Sequence, residues 1–201
     1  MSFPEMSDSA WSPTLKQTLR TTQKRVLSLV TASARKAHSQ AIVDAITRLD
    51  VWHSAKSVAL YYPMPLHAEL DLLPLFELAQ NHRKIVAFPV MANEAPALSR
   101  VSSLEGFSER GHRFPEPPTI DVIAASEIEL FLVPAMAFAT NGARLGHGSG
   151  FYDRLLFGTR GTKVGVGYSF QIVIEVPMTE RDVAMDSIVT ERELIVCSDR
   201  D

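Results

Sequence analysis

Leu132–Leu156 reads LVPAMAFATNGARLGHGSGFYDRLL. It opens on the tail of a short apolar run, the kind that forms a buried strand. Asn141-Gly142 is a turn signal. Glycine then occupies alternate positions, at Gly146, Gly148 and Gly150. Only glycine lets successive amides face a cavity with no side chain in the way. The loop runs into Phe151–Phe157, which reads as a helix. A glycine loop entering a helix makes an anion nest with the helix dipole behind it, and Arg144 adds a planar fork suited to phosphate. No Gly-Lys-Ser/Thr follows, so this is not a Walker loop, and the spacing does not fit a dinucleotide fingerprint. On pattern alone a plain structural turn is the competing reading. Asp153 just beyond the loop weighs against it. A carboxylate beside a phosphate nest is costly unless a cation neutralises it, which suggests Mg2+ at Asp153. The competing reading there is a surface charge pair with Arg154.

Eight of the ten glycines fall between Gly142 and Gly167. Around this stretch, helical and strand patterns alternate. Ser12-Pro13 looks like a cap leading into a helix from Thr14, with Leu15, Leu19, Val26, Leu29 and Val30 at helical spacing. A second amphipathic stretch runs from about Ala34 to Trp52, and a third helix from Asp71 to about Asn81. Ser57–Tyr62, Lys84–Phe88 (stopped by Pro89), Glu129–Val133 and Gly161–Gly167 read as buried strands. Ala95–Ile128 reads as loops holding one or two short strands. Such alternation predicts an α/β fold with parallel neighbours, where ligands bind at the carboxyl ends of the strands. The glycine-rich loop follows the Glu129–Val133 strand and is placed for that. The 201-residue length fits a single domain over 14–201, with 1–13 a flexible tail.

Lys16, Arg20 and Lys24 stand at i, i+4 and i+8, one basic stripe on the first helix. Spacing reads it as a solvated face, or as a phosphate-binding face if that helix flanks the glycine loop. Glu180, Asp182 and Asp186 form an acidic cluster that, with Asp153, could complete an oxygen-rich Mg2+ site; an exposed acidic loop is the alternative. The six histidines show no metal-ligand spacing, and only His147 falls inside a candidate site. The single cysteine, Cys197, excludes an intramolecular disulfide and reads as an idle thiol. A composition of 46% apolar and 21% charged residues is that of an ordinary soluble protein. The net charge of −3 argues against a nucleic-acid binder. With no membrane-length apolar run and no signal-peptide pattern, the expectation is a cytoplasmic monomer.

Arg144-Leu145-Gly146-x-Gly148-x-Gly150-Phe151-Tyr152-Asp153-Arg154, with Lys16-x-x-Leu19-Arg20, Glu69-x-Asp71 and the closing stretch Pro177–Glu191, resembles the 5-formyltetrahydrofolate cyclo-ligase family. The resemblance spans about Thr14 to Glu191. It implies a single-domain α/β fold with a Rossmann-like, mostly parallel sheet flanked by helices. It also implies conversion of 5-formyltetrahydrofolate and ATP to 5,10-methenyltetrahydrofolate, ADP and phosphate, with Mg2+, through a phosphorylated formyl group. By the same resemblance Lys16, Arg20 and the loop Arg144, Leu145, Gly146, His147, Gly148, Ser149, Gly150, Phe151 and Tyr152 bind ATP. Asp153 and Asp182 would hold Mg2+. Glu69 would bind the folate, with His147 through Phe151 lying where phosphate meets formyl group, and Arg144, His147 and Tyr152 acting in catalysis. Tyr61 or Tyr62 could stack on the pterin.

The chain departs from the family's pattern at Leu72, Ala139, Ser149 and Arg181. Other readings are an ATP-dependent enzyme for another formyl or carboxyl substrate, or a folate- or nucleotide-binding paralogue that does not turn over. A phosphosugar isomerase or acyl transferase on a related sheet would need a placed general base or nucleophile, and the loop offers only Asp153 and His147.

Overall fold

A strand covered on both faces shows no polar alternation, and burial along Leu130–Val133 is unbroken. The computed structural model describes residues 11–64, 67–109 and 114–197. In chain order its strands are β1 (Ser57–Ala59), β2 (Ile85–Ala92), β3 (Ala95–Arg100), β4 (Ser108–Glu109), β5 (Pro115–Glu116), β6 (Val122–Ile123), β7 (Leu130–Pro134), β8 (Ala137–Ala139), β9 (Arg144–Leu145), β10 (Thr162–Val166), β11 (Ile172–Val173), β12 (Ser187–Val189) and β13 (Leu194–Val196). The helices are α1 (Trp11–Leu27), α2 (Ala32–Ile46), α3 (Asp50–Ser54), α4 (Pro74–Asn81) and α5 (Phe151–Leu156).

Eight strands form one sheet in the order β13-β12-β10-β7-β1-β2-β3-β6. The five from β12 to β2 are parallel, with Val58 opposite both Val86 and Leu130, and Val164 opposite both Leu132 and Ser187. Antiparallel β13, β3 and β6 finish the two edges. Counting only the parallel strands along the chain, the order is 2-1-3-4-5, the flavodoxin-like variant of the doubly wound class. The direction of winding reverses between β1 and β7, so a crevice opens beyond their carboxyl ends. Alternate residues of these strands feed two cores. Val58, Leu130 and Leu132 pack with Ile42, Trp52 and Leu75 from α2, α3 and α4, while Ala59, Phe131 and Val133 pack with Leu155 and Leu156 from α5.

Several elements differ from the sequence pattern. The helix expected from Thr14 already includes residues 11–13, ahead of the expected cap; residues 1–10 of the expected tail lie outside the described ones. The stretch from Ala34 to Trp52 is two helices. α2 is capped by Thr31, whose hydroxyl accepts from Ala34 N–H, and ends before a short break that α3 follows. The helix expected from Asp71 begins at Pro74, because the Asp71 carboxylate instead accepts Leu73 N–H in a turn. Pro89 does not stop β2. The Ala87 carbonyl points toward β1, accepting Leu60 N–H, and Val86's points toward β3, accepting Val101 N–H. Position 89 therefore faces the side that β1 has already left, and no ladder bond is lost there. β3, expected among loops, is a full hairpin partner of β2, closed by Asn93 and Glu94 at φ 50° and 63°.

Cys197 is half-buried, and burial first, then the Asp186 carboxylate, pushes its thiol up to about 11, which fits an idle thiol. No helix among the described residues is long and apolar enough to cross a membrane.

Candidate active site

The crevice at the reversal point is a cleft of about 520 Å3, within the usual range for small-molecule sites. Its floor is Pro134 at the end of β7, and one wall is Tyr61, Tyr62, Met64, His67 and Glu69 from the segment after β1. The glycine loop and the start of α5 form the opposite wall. α1 brings Lys16 and Arg20 to the rim, and the loop before β12 brings Asp182. Lys16, Arg20, Glu69, the run Arg144–Asp153 and Asp182, spread over four distant stretches of sequence, thus line one space.

On α1 both stripes turn inward in part, with Leu19 packing on the core. Lys16 and Arg20 face the cleft and Gln23 and Leu27 are buried, whereas Leu15 is exposed, as is Lys24. Arg20 Nε donates to the Gly146 carbonyl at 2.9 Å, and its guanidinium packs against Gly148. The loop is held at its other end by Arg154, donating to the Ser149 carbonyl at 3.1 Å. Gly148 and Gly150 adopt φ of 106° and 65°, where a side chain would be strained. α5 is only six residues long, so the expected helix dipole adds little behind the loop.

Two ion pairs line the cleft, one within the wall formed by the glycine loop and α5 and one at the rim. Arg144 NH2 donates to Asp153 Oδ1 at 2.8 Å, and Val183 N–H adds a 3.3 Å bond to the same oxygen. Lys16 Nζ donates to Asp182 Oδ2 at 2.8 Å, joined by Thr179 N–H and hydroxyl. Burial alone would raise the Asp182 carboxyl, but the bonds from Lys16 and Thr179 outweigh it and hold it below its ordinary value. Burial pushes the Tyr152 hydroxyl well above 10, and does the same to Tyr61, whose hydroxyl donates to Leu70 O at 2.9 Å.

The expected acidic cluster does not assemble. Asp186 is drawn away to accept Lys163 N–H at 2.7 Å, Glu180 does not line the cleft, and no group of three metal-ligating side chains forms among the described residues. Leu72 and Ala139 are core residues, 0% and 2% exposed, and Arg181 does not line the cleft either; of the four departures only Ser149 reaches it. The sequence reading gave no role to His67, Met64, Met91 and Phe114, which also line the cleft. His67 and Met64 had one available signal, their place just after a central parallel strand. Met91 lies on β2 beyond the expected stop at Pro89, and Phe114 comes from the stretch read as loops with one or two short strands.

Fold and site define an α/β enzyme whose ligand cleft sits at the switch point of a doubly wound sheet, walled by a glycine-rich loop and rimmed with paired charges. The chain belongs to the 5-formyltetrahydrofolate cyclo-ligase family, whose model matches residues 12–191. It is 30% identical over 195 residues to the 5-formyltetrahydrofolate cyclo-ligase of Mycolicibacterium smegmatis, covering 92% of this chain and 98% of that one. The Escherichia coli K12 enzyme of the same name is 30% identical over 149 residues, 68% of this chain and 78% of its own. Among solved structures, the 5,10-methenyltetrahydrofolate synthetase of Aquifex aeolicus superposes with a TM-score of 0.81 at 31% identity, over 93% of this chain and 95% of that one.

Proposed function

We propose that this chain closes 5-formyltetrahydrofolate to 5,10-methenyltetrahydrofolate at the expense of ATP, with Mg2+, releasing ADP and phosphate. The observation that carries this reading is the single cleft in which the glycine loop, the cations of α1 and two separated aspartates meet. A formyl oxygen is a poor leaving group, and its phosphorylation makes attack by the neighbouring amine feasible. Such a transfer depends on positioning and charge neutralisation more than on a reactive side chain.

In this reading Lys16, Arg20 and Arg144 spread the phosphate charge, and the backbone of Gly146–Gly150 approaches the phosphates closely. Glu69 binds the folate's donor groups. Tyr62, already stacked on Phe107 at 4.7 Å, offers its other face to the pterin. Tyr152, kept protonated by burial, serves as a hydrogen-bond donor beside Arg144, whose guanidinium lies 5.5 Å from its ring. The donor set fits Mg2+ of the kind held by one or two carboxylates plus phosphate oxygens. Each aspartate keeps one oxygen outside its ion pair, Oδ2 of Asp153 and Oδ1 of Asp182, and the two residues are joined through Val183 N–H. Held there by Asp153 and Asp182, such an ion would supply charge neutralisation for the phosphoryl group.

Purified protein mixed with 5-formyltetrahydrofolate, ATP and Mg2+ tests the reading by near-UV absorbance of the methenyl product alongside ADP release. Stoichiometric product and ADP, both lost without ATP and in Asp153→Asn, are expected. Binding of both substrates without turnover would replace this reading with that of a binding paralogue.

A further inference from the structure

Ring closure has a requirement that phosphate binding does not meet. The attacking amine forms a bond to the formyl carbon and must shed its proton as the phosphate leaves, so the cleft needs a proton acceptor near the reacting centre. Most of its polar groups are unsuited. Tyr61 and Tyr152 are held protonated by burial. Asp153 and Asp182 are engaged by Arg144 and Lys16. The Lys and Arg side chains carry donors only.

Glu69, His67 and His147 remain, and of the two imidazoles it is His147, on the glycine loop, that the Glu69 carboxylate faces. Glu69 accepts Met64 N–H through Oε2 at 2.9 Å and turns Oε1 toward His147 Nε2, 3.7 Å away. The His147 ring is steadied by the His67 ring, stacked at 5.2 Å and 30°. With 11% of its side chain exposed Glu69 is the inner member, while His147, 37% exposed, reaches solvent. Behind the pair lies a chamber of about 20 Å3, room for about one water molecule, walled by Tyr61, Tyr168 and Gln171.

Building on the cyclo-ligase reading, we infer that His147 is the base of ring closure, taking the amine proton while Glu69 stabilises the imidazolium so formed. The N–H bond breaks toward His147, the amine lone pair makes the new C–N bond, and the C–O bond breaks with its electrons leaving on phosphate. Exposed His147 then returns the proton to water. The titratable and charged groups facing it are Glu69, His67 and Tyr61 from the segment after β1, Arg20 from α1 and Tyr168 from the segment after β10.

The test is the pH dependence of kcat for wild type, His147→Gln and Glu69→Gln, with thermal melts verifying that each variant folds. Wild type should lose kcat on the acid side through one ionisation. His147→Gln should lower the plateau by about 100-fold or more and abolish that limb, with KM for ATP little changed. Glu69→Gln, which withdraws the imidazolium's partner, should move the limb to lower pH, a displacement that a purely structural role would not produce. Turnover by folded His147→Gln within about twofold of wild type, with the acid limb retained, overturns the inference and leaves the cyclo-ligase reading standing. Absence of turnover by wild type overturns both.

Discussion

The Arg144 guanidinium and the Asp153 carboxylate meet at 2.8 Å in a nearly dry corner of the cleft, with 3% and 18% of their side chains exposed. A pair this buried is costly to break from one side, because the survivor keeps its charge without its partner. Asp153→Asn, which strands the more deeply buried and always charged guanidinium, should lower unfolding stability by about 3 kcal/mol, whereas Arg144→Met, which leaves a carboxylate able to take up a proton, should cost less. Urea unfolding of both variants and the wild type reads the difference. Equal losses would mean the pair is bound more loosely than its geometry states.

Lys16 and Asp182 lead to a pH prediction. The Asp182 carboxyl is held below its unfolded value, so its contribution is present above that value and is lost as pH falls through the folded one. Glu191, held low by the hydroxyl and amide of Ser169 against the opposing effect of burial, acts with the same sign. Melting temperature should therefore drop between about pH 5 and about pH 3, and less steeply in Lys16→Met, which starts lower. Parallel curves for the two proteins would show that Lys16 does not hold that carboxyl down.

The two ends of the cleft should separate kinetically. Arg20→Gln should raise KM for ATP about tenfold, the value of one charge-assisted contact, with KM for the folate nearly unchanged. Tyr62→Ala should do the reverse. Steady-state kinetics with each substrate varied in turn distinguishes them, and a shared effect of either variant would place both ligands differently.

Two glycines should fail in different ways. At Gly165 a methyl group would come within 2.6 Å of the Phe138 ring, which is fully buried, so Gly165→Ala should destabilise by about 1–3 kcal/mol. At Gly148 there is room, but φ is 106°, so Gly148→Ala should leave the sheet intact and distort the loop. Its melting temperature should stay nearer that of wild type than Gly165→Ala does, while kcat/KM for ATP falls. The opposite ranking would refute the division between packing and loop roles.

What was legible in the sequence follows from the range of each signal. The Gly146–Gly150 alternation, the four short apolar runs and the run into α5 are local patterns, and the structure has elements at all of them. The α1 stripe was ambiguous because a helix that rims a polar cleft presents the same pattern as one facing water. β3 falls in the stretch that reads as loops with one or two short strands; Pro96 and Ser99 lack strand character, and only pairing with β2 makes the segment a full six-residue strand. Asp186 and Asp182 look alike in sequence. Which of them reaches the cleft is decided by β12, whose pairing with β10 places Asp186 at Lys163 instead. The Glu69–His147 approach joins residues from different strand ends and left no trace in spacing.

The strand order also governs when during synthesis the cleft can exist. α1 is made early and is the source of Lys16, but Asp182 is made 166 residues later, just ahead of the strand that completes the parallel set. A nascent chain that has finished β1, β2 and β7 already carries much of the central sheet, yet its rim has cations with no carboxylate opposite. Neither ligand can then hold a half-made chain in shape, since binding stabilises only what already forms the site. The rim of the cleft is therefore complete only late in synthesis, once Asp182 has been added.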